Sequence, residues 1–387
     1  MLHQGPFNEL ARTEISFNLI NVQRNRVSFG AEISLLHIVG TCDQRLFGIA
    51  PAERLRRQRG DLPGPVLVAS ASAVLSDAAV AWLIENPGTA LATPAGRAIA
   101  IAVDAPDAEA AARSLCNGGD AMQCVGGAAL GDRFVRKLRR RDTLFVRSLD
   151  EQPASQIEKQ LFEKVYKGIT DVVTKYVWPV PAYWVTKACA GLHLHPNAVT
   201  IVGMAAMVAA TVLWADGELA WGLLFAWLMT FLDTVDGKLA RVTVTSSKLG
   251  DKLDHLTDLI HPPFWWVALA SAVAARPDAR GSLELIWNAC VIILIGYFVG
   301  RFVERSFKKR FGFNPFLWQP FDSAFRIIVS RRNIILLIMT AGLVFGRPVE
   351  AFVAAAIWTF VSVIVQIIRF GQALVRSQGG LPRSWLV

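Results

Sequence analysis

The chain has 387 residues, 53% of them apolar, and a formal net charge of +9. Its five cysteines (42, 116, 124, 189 and 290) contain no Cys-x-x-Cys pair and are odd in number, which argues against a disulfide framework or a cysteine zinc module. The charge reads as loop charge on a membrane protein; the basic run Arg136–Arg141 lacks the interleaved aromatics and module of a nucleic-acid binder.

No basic segment followed by an apolar one opens the chain, so no cleaved signal peptide is expected. Ile33 to Val39 reads as a buried strand, and Pro51 heads a basic helix. Val66 to Ala69 predicts a second strand and Ser76 to Glu85 a helix. Thr89 to Thr93 and Ala98 to Val103 predict two more strands around Pro94-Ala-Gly96, and Asp107 to Leu115 a further helix. Strands alternating with helices predict an α/β domain with a largely parallel sheet. The basic helix face Arg54 to Arg59 is read as turned to anionic lipid or to solvent.

From Ile157 to Tyr176 the apolar residues recur at three- and four-residue steps, an amphipathic helix. Trp178, Tyr183 and Trp184 suit the headgroup region, so 177–194 reads as an interfacial segment. Six candidate spans follow, near 198–215, 219–241, 250–275, 285–307, 332–347 and 349–370. Lys and Arg concentrate in 238–252, 301–310 and 369–383, which predicts cytoplasmic N- and C-termini in the inner (cell) membrane. The expected fold class is multi-domain: an N-terminal α/β domain followed by an all-α six-helix transmembrane domain. Its expected parts are 1–150, a juxtamembrane linker 151–196, the membrane domain 197–372 and a tail 373–387.

The most informative stretch runs from Asp233 to Asp258. Charged groups at membrane depth cost roughly 2.5–3.5 kcal/mol each, so acids there call for a function. On a helix Asp233, Asp236, Gly237, Ala240 and Arg241 share one face, and Gly250, Asp254 and Asp258 share another. Packed antiparallel, the two faces bring four carboxylates together. Hard divalent cations with oxygen ligands (Mg²⁺, Mn²⁺ or Ca²⁺) would relieve their repulsion, and two metals would clamp a diphosphate. A carboxylate not fully occupied by metal would take a proton from an attacking hydroxyl. Gly237 and Ala240 leave the helix face bare, and Arg241 offers a fork for phosphate oxygens.

These residues match, at every fixed position, the signature D-x2-D-G-x2-A-R-x8-G-x3-D-x3-D, and the chain thereby resembles the CDP-alcohol phosphatidyltransferase family. Pro196-Asn197-Ala-Val-Thr200 looks like the entry to the family's first span. The resemblance covers about 157–372. It implies a six-helix membrane fold, Mg²⁺ or Mn²⁺ as two ions per site, and transfer of a substituted phosphoryl group from a CDP-alcohol to an acceptor hydroxyl with release of CMP. It implies that Asp233, Asp236, Asp254 and Asp258 hold metal, with Asp258 also the general base. Asp233, Gly237, Ala240, Arg241, Asn197 and Thr200 would surround the nucleotide. His255 and His261 are not expected as ligands, because the carboxylates already meet that need.

Arg301, Glu304, Arg305, Lys308 and Lys309 continue the fourth span, and Arg326, Arg331 and Arg332 precede the fifth. This basic ring would receive a phosphate on the acceptor, such as inositol phosphate or glycerol phosphate, with Arg301, Arg305, Arg331 and Arg332 as acceptor-binding candidates. The N-terminal domain resembles a sugar-nucleotide-type nucleotidyltransferase. Phe47-Gly48-Ile49-Ala50-Pro51 is poor in glycine, and Ser70-Ala71-Ser72 follows the second strand without an acid, so a non-catalytic relative is expected.

The expected partners are a CDP-alcohol donor, a hydroxyl acceptor, membrane lipids and a second copy of the chain in a homodimer; no nucleic acid is expected. Two other readings of the whole chain compete. One is a divalent-cation transporter or channel, in which Gly237, Ala240 and Arg241 would have no task. The other is a membrane-anchored adaptor acting through residues 1–150, in which the aspartates would be dispensable.

Overall fold

The computed structural model describes residues 35–60, 64–119, 122–135, 138–246 and 248–387, and for 248–256 and 258 the backbone alone. Residues 1–34, and with them the start of the first expected strand, lie outside the described residues. Leu35–Val387 make one compact unit.

Strand β1 (Leu36–Val39) leads through α1 (Pro51–Arg59) to β2 (Val66–Ser70), and β1 and β2 pair in parallel. Pro51 opens α1, where its missing N–H costs nothing. After the short β3 (Ala73–Leu75), the Ser76 side chain accepts from the Ala79 N–H to cap α2 (Asp77–Glu85). Then come β4 (Ala90–Ala92), β5 (Ala98–Val103), α3 (Ala108–Cys116) and β6 (Cys124–Gly126). The sheet order is β1-β2-β5-β4-β6.

This sheet is mixed, which corrects the expectation of a largely parallel one: β5 is antiparallel to both β2 and β4. The physical reason is the Pro94-Ala95-Gly96 turn. Thr93 N–H donates to Arg97 O at 2.9 Å and Gly96 N–H to Thr93 O at 2.9 Å, so β4 and β5 are joined by a hairpin too short for a parallel crossover. Alternation along β2 sorts the core into two layers. Leu67 and Ala69 pack with Leu55, Trp82 and Leu83 of α1 and α2, while Val66 and Val68 pack with Ala111, Ala112 and Leu115 of α3.

Three further three-residue strands follow. β7 (Arg133–Val135) and β8 (Arg140–Asp142) form an antiparallel ribbon, and β9 (Val146–Ser148) pairs with β3. α4 (Ala154–Lys164) ends well before Tyr176, so the single long amphipathic helix expected there is divided. Its break contains Gly168, where a Cβ would meet the Arg140 Cβ at 2.6 Å; the β7–β8 ribbon presses there. A π-helical turn, Val173–Val177, then leads into α5 (Pro179–Gly191).

The C-terminal part is helical: α6 (Pro196–Ala215), α7 (Leu219–Val242), α8 (Lys248–Ala274), α9 (Leu283–Phe311), α10 (Pro320–Phe325), α11 (Arg332–Val344) and α12 (Pro348–Arg376). Among the described residues four helices, α6, α7, α9 and α12, are long and apolar enough to cross a membrane. The apolar stretch Leu259–Ala274 of α8 and the helix α11 are shorter. At 1.5 Å per residue α11 reaches about 20 Å, against a hydrocarbon core of about 30 Å. Exposed Ile201, Val208, Ile295, Phe298, Phe302 and Phe360 give these helices an apolar exterior, as a membrane protein requires.

One apolar cluster ties the two halves together. Leu46, Phe47, Val74 and Phe145 of the α/β domain pack with Leu161 and Phe162 of α4 and with Val235, Leu239 and Val242 of α7. Phe47 N–H also donates to Glu158 Oε1 at 2.8 Å, and Lys187 pairs with the same carboxylate at 2.7 Å. Arg56 and Arg57 of α1 are exposed, as a solvated face would be, but the rest of its basic face is not. Arg54 and Arg59 are buried, and Arg54 donates to the Val242 carbonyl while Arg57 donates to Thr243 O at 2.9 Å. Two guanidinium groups thus cap the C-terminus of α7, where the helix dipole favours positive charge.

Candidate active site

Helix α7 carries the first half of the aspartate motif, and the structure gives each residue a setting. Asp236 is buried, and Thr200 of α6 donates its hydroxyl to Asp236 Oδ2 at 2.6 Å. Thr200 is thereby placed one turn into α6, behind the His195 cap, whose ring accepts from the Asn197 N–H at 3.2 Å. Asp233, one turn before Asp236, takes an ion pair from Arg332 at 2.7 Å. Arg241 lies over Gly237: a Cβ on Gly237 would meet Arg241 Nη2 at 3.3 Å. The bare floor expected at Gly237 is therefore covered by the arginine side chain. Ala240 is half-buried on the same helix. Asp254 and Asp258 fall among the residues whose side chains lie outside the description, as do those of Gly250 and His255. His261 is buried, with Nδ1 2.7 Å from Thr257 O and its ring edge-on to Trp265.

Beside this helix opens a cavity of about 540 Å³. Its lining includes Asp233 and Arg241 of the motif and also Arg301, Arg305, Arg331 and Arg332. The structure so brings the four acceptor candidates to the same space as two motif residues. Asp236, Gly237, Ala240, Asn197 and Thr200 stand outside the lining.

The electrostatics of the walls are strongly positive. Arg331 pairs with Glu304, and both Arg331 and Arg326 stand 5.6 Å from the Phe316 ring centroid. Arg326 is buried, and its Nε and Nη1 have no hydrogen-bond partner among the described residues. Burial, then the like charge of Arg331, pushes its pKa down to about 9, and Asp171 offsets this only in part. Burial would raise the Asp171 carboxyl. The charge of Arg326, with hydrogen bonds from Asn333 (2.9 Å) and Thr174 (3.0 and 2.9 Å), instead brings it below the usual carboxylate value. Lys238, between the motif residues, is buried with its ammonium 3.5 Å from the Tyr166 ring centroid.

Arg139 also lines this cavity, although it belongs to the turn before β8 in the N-terminal half. Sequence reading missed it, because Arg136–Arg141 looks like any solvated basic run. A signal for Arg326 was present as the first of three arginines before α11, but nothing in the pattern separated it from flanking charge.

Residues 193–375 match the family model described as CDP-alcohol phosphatidyltransferase. This part of the chain is a CDP-alcohol phosphatidyltransferase domain. The chain is also 36% identical over 80 residues to a phosphatidylinositol phosphate synthase of Mycobacteroides abscessus, a stretch that covers 19% of this chain and 36% of the relative. It thus spans about a third of the length of the curated relative it matches. Two solved structures of a phosphatidylinositol phosphate synthase from Mycobacterium tuberculosis are similar to it at 18% identity and a TM-score of 0.38, one with CDP-DAG bound and one in complex with manganese and citrate. Each likeness covers 49% of this chain, and 92% and 88% respectively of those chains. The phosphatidyltransferase domain begins just before α6 and runs to the end of α12, so it contains α7 and its aspartates. Arg139 lies outside it.

Proposed function

We propose that the chain is an integral-membrane transferase of phospholipid synthesis, moving the substituted phosphoryl group of a CDP-alcohol to a hydroxyl of a phosphorylated acceptor. The observation that carries this reading is the placement of Asp233 and Arg241 in the lining of a cavity that also takes in Arg301, Arg305, Arg326, Arg331 and Arg332. CDP-diacylglycerol is the proposed donor and inositol phosphate the proposed acceptor, in keeping with the name of the 36%-identical relative. We further propose six spans, including α8 and α11, with both termini in the cytoplasm of a cell whose inner membrane holds the protein, and a homodimer as the working form. The division at 1–150, 151–196, 197–372 and 373–387, with a non-catalytic first domain, belongs to the same proposal.

Asp233 and Asp236 supply only hard oxygen donors, one helical turn apart, and so fit a divalent cation such as Mg²⁺ or Mn²⁺. Together with Asp254 and Asp258 they would hold two ions. Bound there, the metal supplies Lewis-acid charge neutralisation for the diphosphate. The Thr200 hydroxyl fixes the rotamer of Asp236, and Arg332 holds Asp233 toward the cavity. Arg241 offers two parallel N–H groups to the donor phosphates. Arg301, Arg305 and Arg331, joined by buried Arg326, draw the acceptor phosphate into the cavity beside Arg332, which stays paired with Asp233. The acceptor hydroxyl oxygen forms a bond to the phosphorus bearing the alcohol, the bridging P–O bond breaks, and CMP leaves. The hydroxyl proton passes to the Asp258 carboxylate. A wall of arginines repels cations, which disfavours the transporter reading.

The test is CMP release by purified protein given CDP-diacylglycerol, divalent metal and a set of phosphorylated and free polyols. Asp258→Asn is expected to lower turnover by at least about 100-fold, the typical size of a general-base contribution. Retention of normal turnover by this variant would remove Asp258 from the base role.

A further inference from the structure

Arg139 reaches the cavity from outside the phosphatidyltransferase domain. Its backbone φ is +51°, the left-handed region that residues other than glycine avoid. An arginine kept where glycine would be easier points to a task for its side chain. The turn that presents it is clamped on both flanks. Gly168 N–H donates to Leu138 O at 2.8 Å, and Arg140 donates to Glu163 O at 3.2 Å and Lys164 O at 3.0 Å. Asp142 takes ion pairs from both Arg140 and Lys164. A Cβ on Gly168 would stand 3.1 Å from Arg139 O, so the segment after α4 lies directly against this turn.

Arg139 itself has no hydrogen bond or ion pair among the described residues, while Leu138 and Arg140 on either side of it are tied down. It lines the same cavity as Arg331 and Glu304, which pair with each other; burial, then the like charge of Arg331, lowers its pKa, and Glu304 offsets this in part. A further cation beside Arg326, Arg331, Arg301 and Arg305 is unfavourable in an empty cavity and favourable once an anion enters it. The donor diphosphate belongs at Arg241 and the aspartates of α7. Arg139 lines the cavity together with Arg301, Glu304 and Arg305 of α9 and with Arg326 and Arg331 ahead of α11, where the acceptor phosphate is proposed to lie.

We infer that Arg139 is a specificity-determining residue, supplied by the N-terminal half to bind the phosphate of the acceptor together with Arg326 and Arg331. This rests on the reading given under Proposed function. The N-terminal half is then part of the acceptor site and not only a tether to it.

Arg139→Gly tests this in the full-length chain, because glycine suits φ of +51° and removes the whole side chain without straining the turn. The expected result is a rise of about 10-fold or more in the KM for inositol phosphate, the size of one lost charge-assisted contact. The KM for CDP-diacylglycerol stays within twofold, the advantage of phosphorylated over free polyol shrinks by the same factor, and the unfolding midpoint does not fall. Arg133→Ala, an exposed residue on β7, is the control expected to match wild type. Inorganic phosphate without any CDP-alcohol gives a readout free of turnover: it raises the unfolding midpoint of wild type more than that of Arg139→Gly. Wild-type protein that releases no CMP with any acceptor, yet shows this phosphate difference, overturns the proposed activity and supports the anion site. Wild-type turnover with an unchanged acceptor KM in Arg139→Gly, or an equal rise in both KM values, overturns the role of Arg139 and leaves the activity standing.

Discussion

Gly237 illustrates how one missing Cβ sets the position of a charge. The Arg241 guanidinium rests over it, with an added methyl meeting Nη2 at 3.3 Å. In Gly237→Ala the arginine has to lift by a few tenths of an ångström, while the helix gains from alanine's better propensity by about 0.5–1 kcal/mol. The expected outcome is therefore a protein as stable as wild type or more so, whose kcat/KM for the CDP-alcohol falls by about 10-fold. Thermal unfolding and CMP release with varied donor measure the two effects separately. The motif spacing made this glycine legible in the sequence, but not its partner. A signature records which residue types recur and not which side chain rests on which backbone.

At the scale of elements, the segment between α4 and α5 is fastened to α11 through Asp171. Its carboxylate accepts from Thr174 N–H and hydroxyl and from Asn333 Nδ2, and Arg326 supplies the countercharge. The Asp171 pKa in the fold lies below its unfolded value of about 3.9. Such a group contributes stability above the unfolded value, and the contribution is lost as pH falls through the folded one. Asp171→Asn is expected to cost about 2 kcal/mol at neutral pH, the size of hydrogen bonds to a charged group. The gap between wild type and variant then closes as the solution is acidified below about pH 4. Unfolding midpoints across pH check both statements; a gap independent of pH would mean that the charge is not what matters. These contacts left no trace in the sequence reading, because the helical period of 157–176 pointed to one unbroken helix. Its interruption lies against the β7–β8 ribbon, whose three-residue strands are too short to show alternation. Long apolar helices, by contrast, were legible to within a few residues at most ends, although α9 and α12 run on past the apolar stretch to Phe311 and Arg376.

On the scale of the whole molecule, the α/β domain and the membrane helices share a core and a helix cap. Arg54 is 5% exposed and donates to the last turn of α7. Removing it in Arg54→Ala is expected to destabilise the protein by about 2 kcal/mol, the upper range for a partly buried cation at a helix C-terminus. Turnover should fall as well, although Arg54 touches no substrate, because α7 carries Asp233 and Asp236. Arg54→Lys should restore part of both, and unfolding with parallel CMP assays would show it. Equal stability of Arg54→Ala and wild type would mean that the two halves are not joined energetically at this cap. A sequence divided by hydropathy gives two domains, but it cannot give the surface they share, because Phe47, Val74, Val235 and Leu239 are far apart in the chain and each fits its local pattern.

The cavity wall made by Arg139 has a practical meaning for inhibitor selectivity. A compound built only against α7 and its aspartates would address features of the family signature. One extended across the cavity to the turn before β8 would meet a surface lying outside the phosphatidyltransferase domain, and so would discriminate this chain from proteins that carry the domain alone.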